Sequence, residues 1–266
     1  MGCIMRPADF LSDNLITFPQ YVNQNINKMA TDKSGNINYK MNEHGFRSTS
    51  ITESSHFNIL TLGCSWTIGL GVEQDKIWPT LIQDKFEDST LWNYSMYGTS
   101  TEYIAKQYYK VLSNGYKPDL VLILWPGFSR RDYLRDDGEY RRIGGWRRSY
   151  DPNDTIFRDD KEDLAFLTLQ NDYQDLHIFW NSYKFVEQMN KNFNIPTFHS
   201  VAGYYYEIFQ THMNKIVNFI DMETFFLPKD CYQNDMAAQD GKHPGKDWHN
   251  LFSNRFYDFL SRRLDV

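Results

Sequence analysis

The sequence predicts an α/β protein in which a parallel sheet carries helices on both faces. From residue 57 onward, short apolar runs with β-branched residues alternate with longer segments whose apolar residues have helical spacing. Repeated strand–helix units of this kind form parallel sheets, because each helix returns the chain to the same end of the sheet. The chain has 266 residues, 41% of them hydrophobic and 17% aromatic, which is enough to bury a full core. We therefore expect one domain over residues 57–266.

The residues before this domain, 1–56, are polar, rich in Asn and weakly periodic, and we expect an N-terminal extension that packs on the core. The first strand of the core is predicted at 57–62, where Gly63 ends it, and the next helix at 75–86. The later elements continue the alternation, with strands at 91–94, 119–125, 195–201 and 216–220 and helices at 101–112, 176–192 and 246–264.

The alternation breaks down between residues 127 and 174, which we interpret as an insert. Long irregular segments inside compact domains are usually functional or disordered. Aromatic faces and guanidinium groups suit sugars or acidic substrates, so the insert is predicted to cap the site; a solvated surface loop is the alternative. Its basic residues are Arg130, Arg131, Arg135, Arg141, Arg142, Arg147 and Arg148.

Composition narrows the function classes. The formal net charge of −6 gives no general attraction to nucleic acid. No apolar leader and no run of membrane-spanning length is seen, so we expect a cytoplasmic protein without a membrane partner. The three cysteines, Cys3, Cys64 and Cys231, cannot build a disulfide framework and match no zinc pattern. We expect reduced thiols, no cofactor and no metal, and the oligomeric state is left open.

Three residues could supply a hydrolytic triad in the chain order Ser, Asp, His. Ser65 lies in the turn Gly63–Gly69, between the first predicted strand and the next helix. Asp240 precedes His243 by three residues, on a turn stiffened by Pro244. A serine hydroxyl needs a base to take its proton and a group that holds the base in the right tautomer, and His243 and Asp240 fit these two tasks.

Each of these residues also has a plainer interpretation. A serine after a glycine in a strand-to-helix turn is commonly a helix cap. Cys64 offers a thiol beside Ser65, although core packing is its simpler role. Asp235 competes with Asp240 but lacks the three-residue offset. The acidic and histidine residues of the tail could suggest a metal site, but Asp240, His243, Asp247 and His249 match no familiar ligand spacing.

Ser65, the segment around Gly98 and the Asp240–His243 pair resemble blocks I, II and V of the SGNH (GDSL-like) hydrolases, over roughly residues 57–262. The resemblance implies a three-layer α/β/α, flavodoxin-like fold with a parallel five-stranded sheet. It also implies a Ser-His-Asp esterase in which the Gly98 N–H helps to bind the oxyanion. The first block departs from the usual Gly-Asp-Ser, because Cys64 stands in the place of Asp.

The third block is the larger departure. The family usually has Gly-x-Asn-Asp after its third strand, and the Asn side chain donates to the oxyanion; this chain has Gly127-Phe128-Ser129-Arg130 instead. A hydroxyl can donate one hydrogen bond, and a guanidinium can donate several with a full charge. Loss of one oxyanion donor costs about 10²–10³ in rate. Three outcomes follow: Ser129 or Arg130 replaces the missing donor, the enzyme is slow, or the protein is not an enzyme.

The function that these residues predict is ester hydrolysis, with removal of small acyl groups such as acetyl from a carbohydrate or another polar ester. The substrate class follows from the resemblance and from the aromatic and basic insert. Two alternatives remain: a non-catalytic glycan-binding or structural module on the same fold, and an O-acyltransferase that uses the same triad. The expected partner is a small-molecule or carbohydrate ester.

Overall fold

A computed structural model describes residues 17–29, 32, 34–134, 140–144, 165–166, 168–203, 207–231 and 236–264. In chain order its strands and α-helices are β1 (Asn25–Ile26), β2 (Tyr39–Lys40), β3 (Phe57–Gly63), α1 (Ser65–Ile68), α2 (Trp78–Gln83), β4 (Ser89–Asn93), α3 (Thr101–Ser113), β5 (Leu120–Trp125), β6 (Arg131–Leu134), β7 (Tyr140–Ile143), α4 (Asp172–Phe193), β8 (Thr197–Val201), α5 (Glu207–Ile216), β9 (Phe225–Phe226) and α6 (Lys246–Ser261).

The central sheet has five parallel strands in the order β4-β3-β5-β8-β9. Its strands end at one edge in register, since Gly63 of β3 lies beside Leu124 of β5, and Leu124 lies beside Ser200 of β8. The carboxyl ends of these strands therefore meet at one edge, which is where open α/β sheets place their ligands.

The sheet is covered on both faces, which confirms the three-layer α/β/α prediction. One apolar cluster joins Leu60 and Val121 of the sheet to buried residues of α3 and α4, among them Tyr103 and Phe179. The other joins Ile59 and Leu122, which point the opposite way, to α2 and α6. Successive strand residues point to opposite faces, so the continuous apolar runs of β3 and β5 feed both clusters.

Two of the predicted elements differ in the structure. The prediction of a fifth strand at 216–220 is wrong: Ile216 ends α5, a short 3₁₀ helix covers Val217–Phe219, and the fifth strand is β9. The two buried isoleucines of this segment, Ile216 and Ile220, are four residues apart, which is helical spacing. The helix predicted at 75–86 is shorter, because Ile77 is extended and α2 begins only at Trp78, with Pro79 in its first turn.

The N-terminal segment and the insert are described only in part. Phe18, Tyr39 and Phe46 are fully buried and belong to the cluster on the α3 and α4 face. Within the insert, β6 and β7 pair as an antiparallel hairpin in which Arg131 lies opposite Ile143. Residues 1–16, which include Cys3, and the insert arginines Arg135, Arg147 and Arg148 lie outside the described residues. Within the described ranges, no helix is both long and apolar enough to cross a membrane.

Candidate active site

Ser65 is the first residue of α1 and lies just beyond the carboxyl end of β3. The turn that places it is tight: a Cβ on Gly63 would lie 2.0 Å from Thr67 Oγ1 and 3.1 Å from the carbonyl oxygen of Leu124, so only glycine fits. The N–H groups of Gly69 and Leu70 donate to the Ser65 carbonyl at 3.1 and 3.2 Å. The helix ends at Gly69, whose φ of 72° is left-handed.

Cys64, the residue before Ser65, points into the core. Its side chain is fully buried and belongs to the apolar cluster on the α6 face. Burial of this kind suits a packing residue, since reactive thiols are usually accessible and near positive charge. Cys231 is buried as well, and burial raises the pKa of its thiol to about 11.

Asp240 and His243 form a short, well-oriented pair. The Asp240 Oδ2 and His243 Nδ1 atoms are 2.6 Å apart, and the Asp240 side chain is fully buried. Oδ1 of the same carboxylate accepts the main-chain N–H groups of Lys242 and His243, both at 3.0 Å. These bonds hold the carboxylate in place and assign the proton of the imidazole to Nδ1, so Nε2 is the basic nitrogen.

The loop that carries Asp240 packs against the turn that follows Ser65. A Cβ on Gly71 would lie 2.9 Å from Ala238 Cβ and 3.7 Å from Asp240 N. Farther along, the rings of Trp66 and Trp248 meet edge to face with centroids 5.1 Å apart. The sheet and these contacts bring the two halves of the predicted triad to the same edge of the molecule.

The Ser65 hydroxyl makes no hydrogen bond within the described residues. The structure therefore joins Asp240 to His243 directly and places Ser65 on the neighbouring turn without a Ser65–His243 hydrogen bond. Catalytic hydrogen bonds of this kind are often long or poorly aligned before substrate binds.

Gly98 lies in a turn that is tied to the end of β3. The Met96 N–H and the Thr99 hydroxyl donate to the Gly63 carbonyl at 3.3 and 3.1 Å. Gly98 has φ 73°, which favours glycine, and a Cβ there would meet no heavy atom closer than Arg142 Cδ at 3.9 Å. The N–H groups of Ser65 and Gly98 make no hydrogen bond within the described ranges. Both are thus available as donors near the Ser65 turn.

The fold has counterparts among solved structures, although no protein-family model and no curated protein matches the sequence. A structure described as a G-D-S-L family lipolytic protein from Desulfitobacterium hafniense has TM-score 0.50 and 12% identity, over 77% of this chain and 100% of that chain. The chain has the SGNH fold. Two further similar structures are the psychrotrophic esterase EstA from Pseudoalteromonas sp. (TM-score 0.49, 17% identity, 79% of this chain and 99% of that chain) and a family two carbohydrate esterase from Clostridium thermocellum (0.45, 13%, 80% and 66%).

Residues 127–130, which stand in the place of the third block, and Arg142 of the insert contact the turn that contains Gly98. After β5, Phe128 turns into the core and stacks on Phe179 with centroids 4.1 Å apart, and Ser129 is partly exposed. Arg130 Nη1 donates to the Thr99 carbonyl at 3.3 Å, and Arg142 Nη1 of the insert hairpin donates to the Tyr97 carbonyl at 3.2 Å. Two guanidinium groups therefore flank Gly98 on either side.

Acidic groups lie beneath these arginines. Asp132 is buried; its Oδ2 accepts the Ser100 hydroxyl at 2.6 Å, and its Oδ1 is 3.5 Å from Arg142 Nε. Burial raises the pKa of Asp132 above its ordinary value, against the attraction of Arg142. Burial and then the Asp132 charge raise the pKa of Glu102 to about 7. Both shifts disfavour the ionised form of these two carboxyl groups.

One group of side chains in the described ranges could hold a metal ion, and it lies on α4 and α5. The candidate ligand atoms of Asp172, Asp175 and His212 lie within 4.8 Å of one another. Asp175 already accepts from Arg131 Nη2 at 2.5 Å and from Gln170 Nε2 at 2.7 Å. Because an arginine occupies the carboxylate, we interpret the group as an ion-pair cluster that ties β6 to α4 and α5.

The tail residues that sequence reasoning considered as metal ligands have other surroundings. Asp247 is exposed, whereas His249 is fully buried and its Nδ1 accepts the Trp78 N–H at 3.1 Å. Burial first, and then the charges of Arg47 and His243, lower the pKa of His249 to about 3. His249 therefore lies as a neutral imidazole in the packing between α6 and α2.

Sequence reasoning missed a second set of residues at the site. Arg47 of the N-terminal segment donates to the carbonyls of Ile68 and Gly69 at the end of α1, and Tyr39 contacts Gly71. The available signal was the segment 36–48, which contains Gly45-Phe46-Arg47. The sequence shows an arginine in this polar segment. It does not show that the arginine is buried, and the partners are too far away in sequence to be assigned.

Proposed function

We propose that the protein is a serine ester hydrolase in which Ser65 is the nucleophile, His243 the general base and Asp240 the group that orients it. The observation that carries this proposal is the 2.6 Å contact between Asp240 and His243. The pair lies on a loop that packs against the Ser65 turn in an SGNH fold. A buried carboxylate bonded to Nδ1 is the arrangement that a serine–histidine pair needs.

The reaction follows from these positions. His243 Nε2 takes the Ser65 proton while Ser65 Oγ attacks the ester carbonyl carbon, and Asp240 stabilises the imidazolium that forms. His243 then gives the proton to the leaving alcohol, which leaves an acyl group on Ser65. Water attacks this acyl-enzyme by the same route, with His243 again as base, and the carboxylic acid departs.

The oxyanion is proposed to bind to the N–H groups of Ser65 and Gly98, with Arg130 as the third donor in place of the usual Asn. Arg130 is favoured over Ser129 because its guanidinium lies beside the Gly98 turn at Thr99 and because a guanidinium carries five N–H donors, whereas a hydroxyl carries one. A charged donor in a site that excludes water stabilises a developing anion more than a hydroxyl does.

A small acyl group on a carbohydrate or a similar polar ester is the substrate class that we propose. Arg130 and Arg142 give the surroundings of Gly98 a polar, cationic character. Such surroundings suit hydroxyl-rich or acidic molecules better than lipid chains. Transfer of the acyl group to a sugar hydroxyl would use the same residues, since only the acceptor that attacks the acyl-enzyme differs.

The test is the hydrolysis of p-nitrophenyl acetate by the wild-type protein and by Ser65→Ala. We expect the substitution to lower kcat by about 10³-fold or more, because no other group supplies the attacking oxygen. Ser253→Ala is the matched control: it also removes a buried serine hydroxyl, from α6, and should retain wild-type turnover. Equal activity of Ser65→Ala and wild type would refute the mechanism, and folded wild-type protein without turnover would favour the glycan-binding alternative.

A further inference from the structure

Arg47 is a buried cation whose hydrogen bonds go to the main chain of the turn after Ser65. Its Nη1 donates to the carbonyls of Ile68 and Gly69, and its Nη2 donates to the carbonyl of Val72, each at 2.9 Å. The carbonyls at the end of a helix lack partners within the helix. α1 has only four residues, so its end has little hydrogen bonding of its own and depends on this guanidinium.

Tyr39 extends the contact from Arg47 to the next part of the turn. The Arg47 guanidinium lies 4.6 Å from the centroid of the Tyr39 ring, and the Tyr39 hydroxyl accepts the Gly71 N–H at 2.7 Å. The hydroxyl donates in turn to Asp32 Oδ2 at 2.6 Å. Burial and the Asp32 carboxylate raise the pKa of Tyr39 far above its ordinary range, so the hydroxyl keeps its proton and remains a donor.

The same turn is in contact with the loop that carries Asp240. The site of a Cβ on Gly71 is 3.5 Å from Gln239 N and 3.7 Å from Asp240 N. Asn36 of the N-terminal segment donates from Nδ2 to Gln239 Oε1 at 3.2 Å. Residues 68–72 are therefore held between the N-terminal network on one side and the Asp240 loop on the other.

Burial of an arginine is costly, and burial lowers the pKa of Arg47 to about 10. The carboxylates of Glu73 and Asp32 oppose that shift. A network that only filled the core could be apolar at lower cost. All three carbonyls that the guanidinium binds, and the N–H that Tyr39 binds, belong instead to residues 68–72, the segment after Ser65 whose Gly71 contacts the Asp240 loop.

We propose that Asp32, Tyr39 and Arg47 are positioning residues that set the Ser65 turn relative to the Asp240 loop. They touch no reacting atom and act through the main chain of residues 68–72. The inference rests on the proposed function, because it assigns a catalytic consequence to the alignment of Ser65 with His243. It also gives the N-terminal segment a task beyond packing.

Tyr39→Phe isolates the positioning effect, because it keeps the ring under Arg47 and removes only the hydroxyl. The matched control is Tyr108→Phe on α3, which removes a hydroxyl that donates to Asn190 Oδ1 at 2.8 Å on the contact with α4. Both variants should lose some thermal stability. Only Tyr39→Phe should lower kcat for p-nitrophenyl acetate, by about tenfold or more with KM nearly unchanged, since small displacements of a catalytic group are costly.

A second measurement does not depend on activity. Hydrogen exchange should become faster in the peptide that covers residues 65–72 of Tyr39→Phe, because the Gly71 N–H loses its acceptor, and should be unchanged there in Tyr108→Phe. Equal losses of kcat in the two variants, or unchanged exchange at 65–72 in Tyr39→Phe, would overturn the inference. If the wild-type protein proves inactive, the proposed function fails, and the exchange comparison alone then decides whether the network holds this turn.

Discussion

The two carboxylate oxygens of Asp240 bind different partners, and the effect of a substitution depends on which of these bonds it removes. Oδ1 binds two main-chain N–H groups and Oδ2 binds His243 Nδ1. In Asp240→Asn the amide oxygen can keep the main-chain contacts, while the NH₂ group faces Nδ1 and favours the wrong tautomer of His243. We expect kcat for p-nitrophenyl acetate to fall by about 10³–10⁴ with little change in fold.

The control for Asp240→Asn is Asp247→Asn, which makes the same change on the exposed first turn of α6. Its turnover and its circular dichroism melting curve should match those of the wild type. If Asp240→Asn retained kcat within about threefold of the wild type, His243 would not depend on this carboxylate for its tautomer.

Single residues differ in how far the sequence predicts them. Asp240 and His243 are three positions apart on one turn, so their contact is local and the spacing predicts it. The surroundings of Arg130 are not local: its partner, the Thr99 carbonyl, is 31 positions away, and only the folded sheet brings the two together. The partners of Arg47 are harder still to predict, because they are main-chain carbonyls, which carry no sequence signal.

At the scale of elements, the connection from β3 to α1 depends on the absence of a side chain at Gly63. Gly63→Ala would place a methyl group 2.0 Å from Thr67 Oγ1, against the turn that presents Ser65. We expect a loss of about 1–3 kcal/mol in the free energy of unfolding, as in other overpacked sites, together with a lower kcat. Denaturant unfolding and p-nitrophenyl acetate turnover measure the two effects.

Gly115→Ala, after α3, is the comparison for Gly63→Ala. Gly115 has φ 84°, and a methyl group there would have no heavy atom within 4 Å, so its substitution costs only backbone strain of about 1–2 kcal/mol. Turnover should be unaffected. Loss of kcat in both variants alike would show that general destabilisation, rather than a displaced Ser65 turn, explains the Gly63 result.

Strands that are buried on both faces are the elements that the sequence predicts best. β3 and β5 are buried on both faces, so continuous apolar runs predict them at 57–62 and 119–125. The two-residue β9 and the hairpin of β6 and β7 are too short or too polar for a clear pattern. The pairing of β9 with β8 and the pairing of β6 with β7 form only in the folded molecule.

At the scale of the whole molecule, His249 links the stability of the fold to pH. It is fully buried, and burial first, then Arg47 and His243, lower its pKa to about 3. The ordinary pKa of about 6.5 applies to the unfolded chain, so the unfolded state takes up a proton that the folded state refuses. The contribution of neutral His249 is therefore fully present above pH 6.5 and is lost as pH falls toward 3.

Replacement of this imidazole should flatten the acid side of the stability curve. The free energy of unfolding of the wild type should exceed that of His249→Gln most near neutral pH, and the difference should shrink on acidification by about 1.4 kcal/mol per pH unit. His177→Gln, which changes an exposed histidine on α4, should follow the wild type throughout. Parallel curves for wild type and His249→Gln would contradict the assignment.

The sequence predicts the layered architecture of the whole molecule best, and it predicts the contacts between the N-terminal segment and the sheet domain least. Alternating strands and helices specify three layers whatever the details of the loops. The N-terminal segment contacts the turn after Ser65 through Tyr39 and Arg47, with Asp32 behind Tyr39, and these partners are set by tertiary packing. The proposed chemistry depends on one hydroxyl, that of Ser65.

Labelling of the folded protein with a fluorophosphonate probe, followed by digestion and mass spectrometry, tests the reactivity of this hydroxyl most directly. An activated serine attacks the phosphorus, whereas an ordinary serine does not. We expect one phosphonylated peptide, containing Ser65, that is absent from Ser65→Ala and from heat-unfolded wild type. Folded wild-type protein that stays unlabelled, or that carries the label on another residue, would contradict the assignment of Ser65 as the nucleophile.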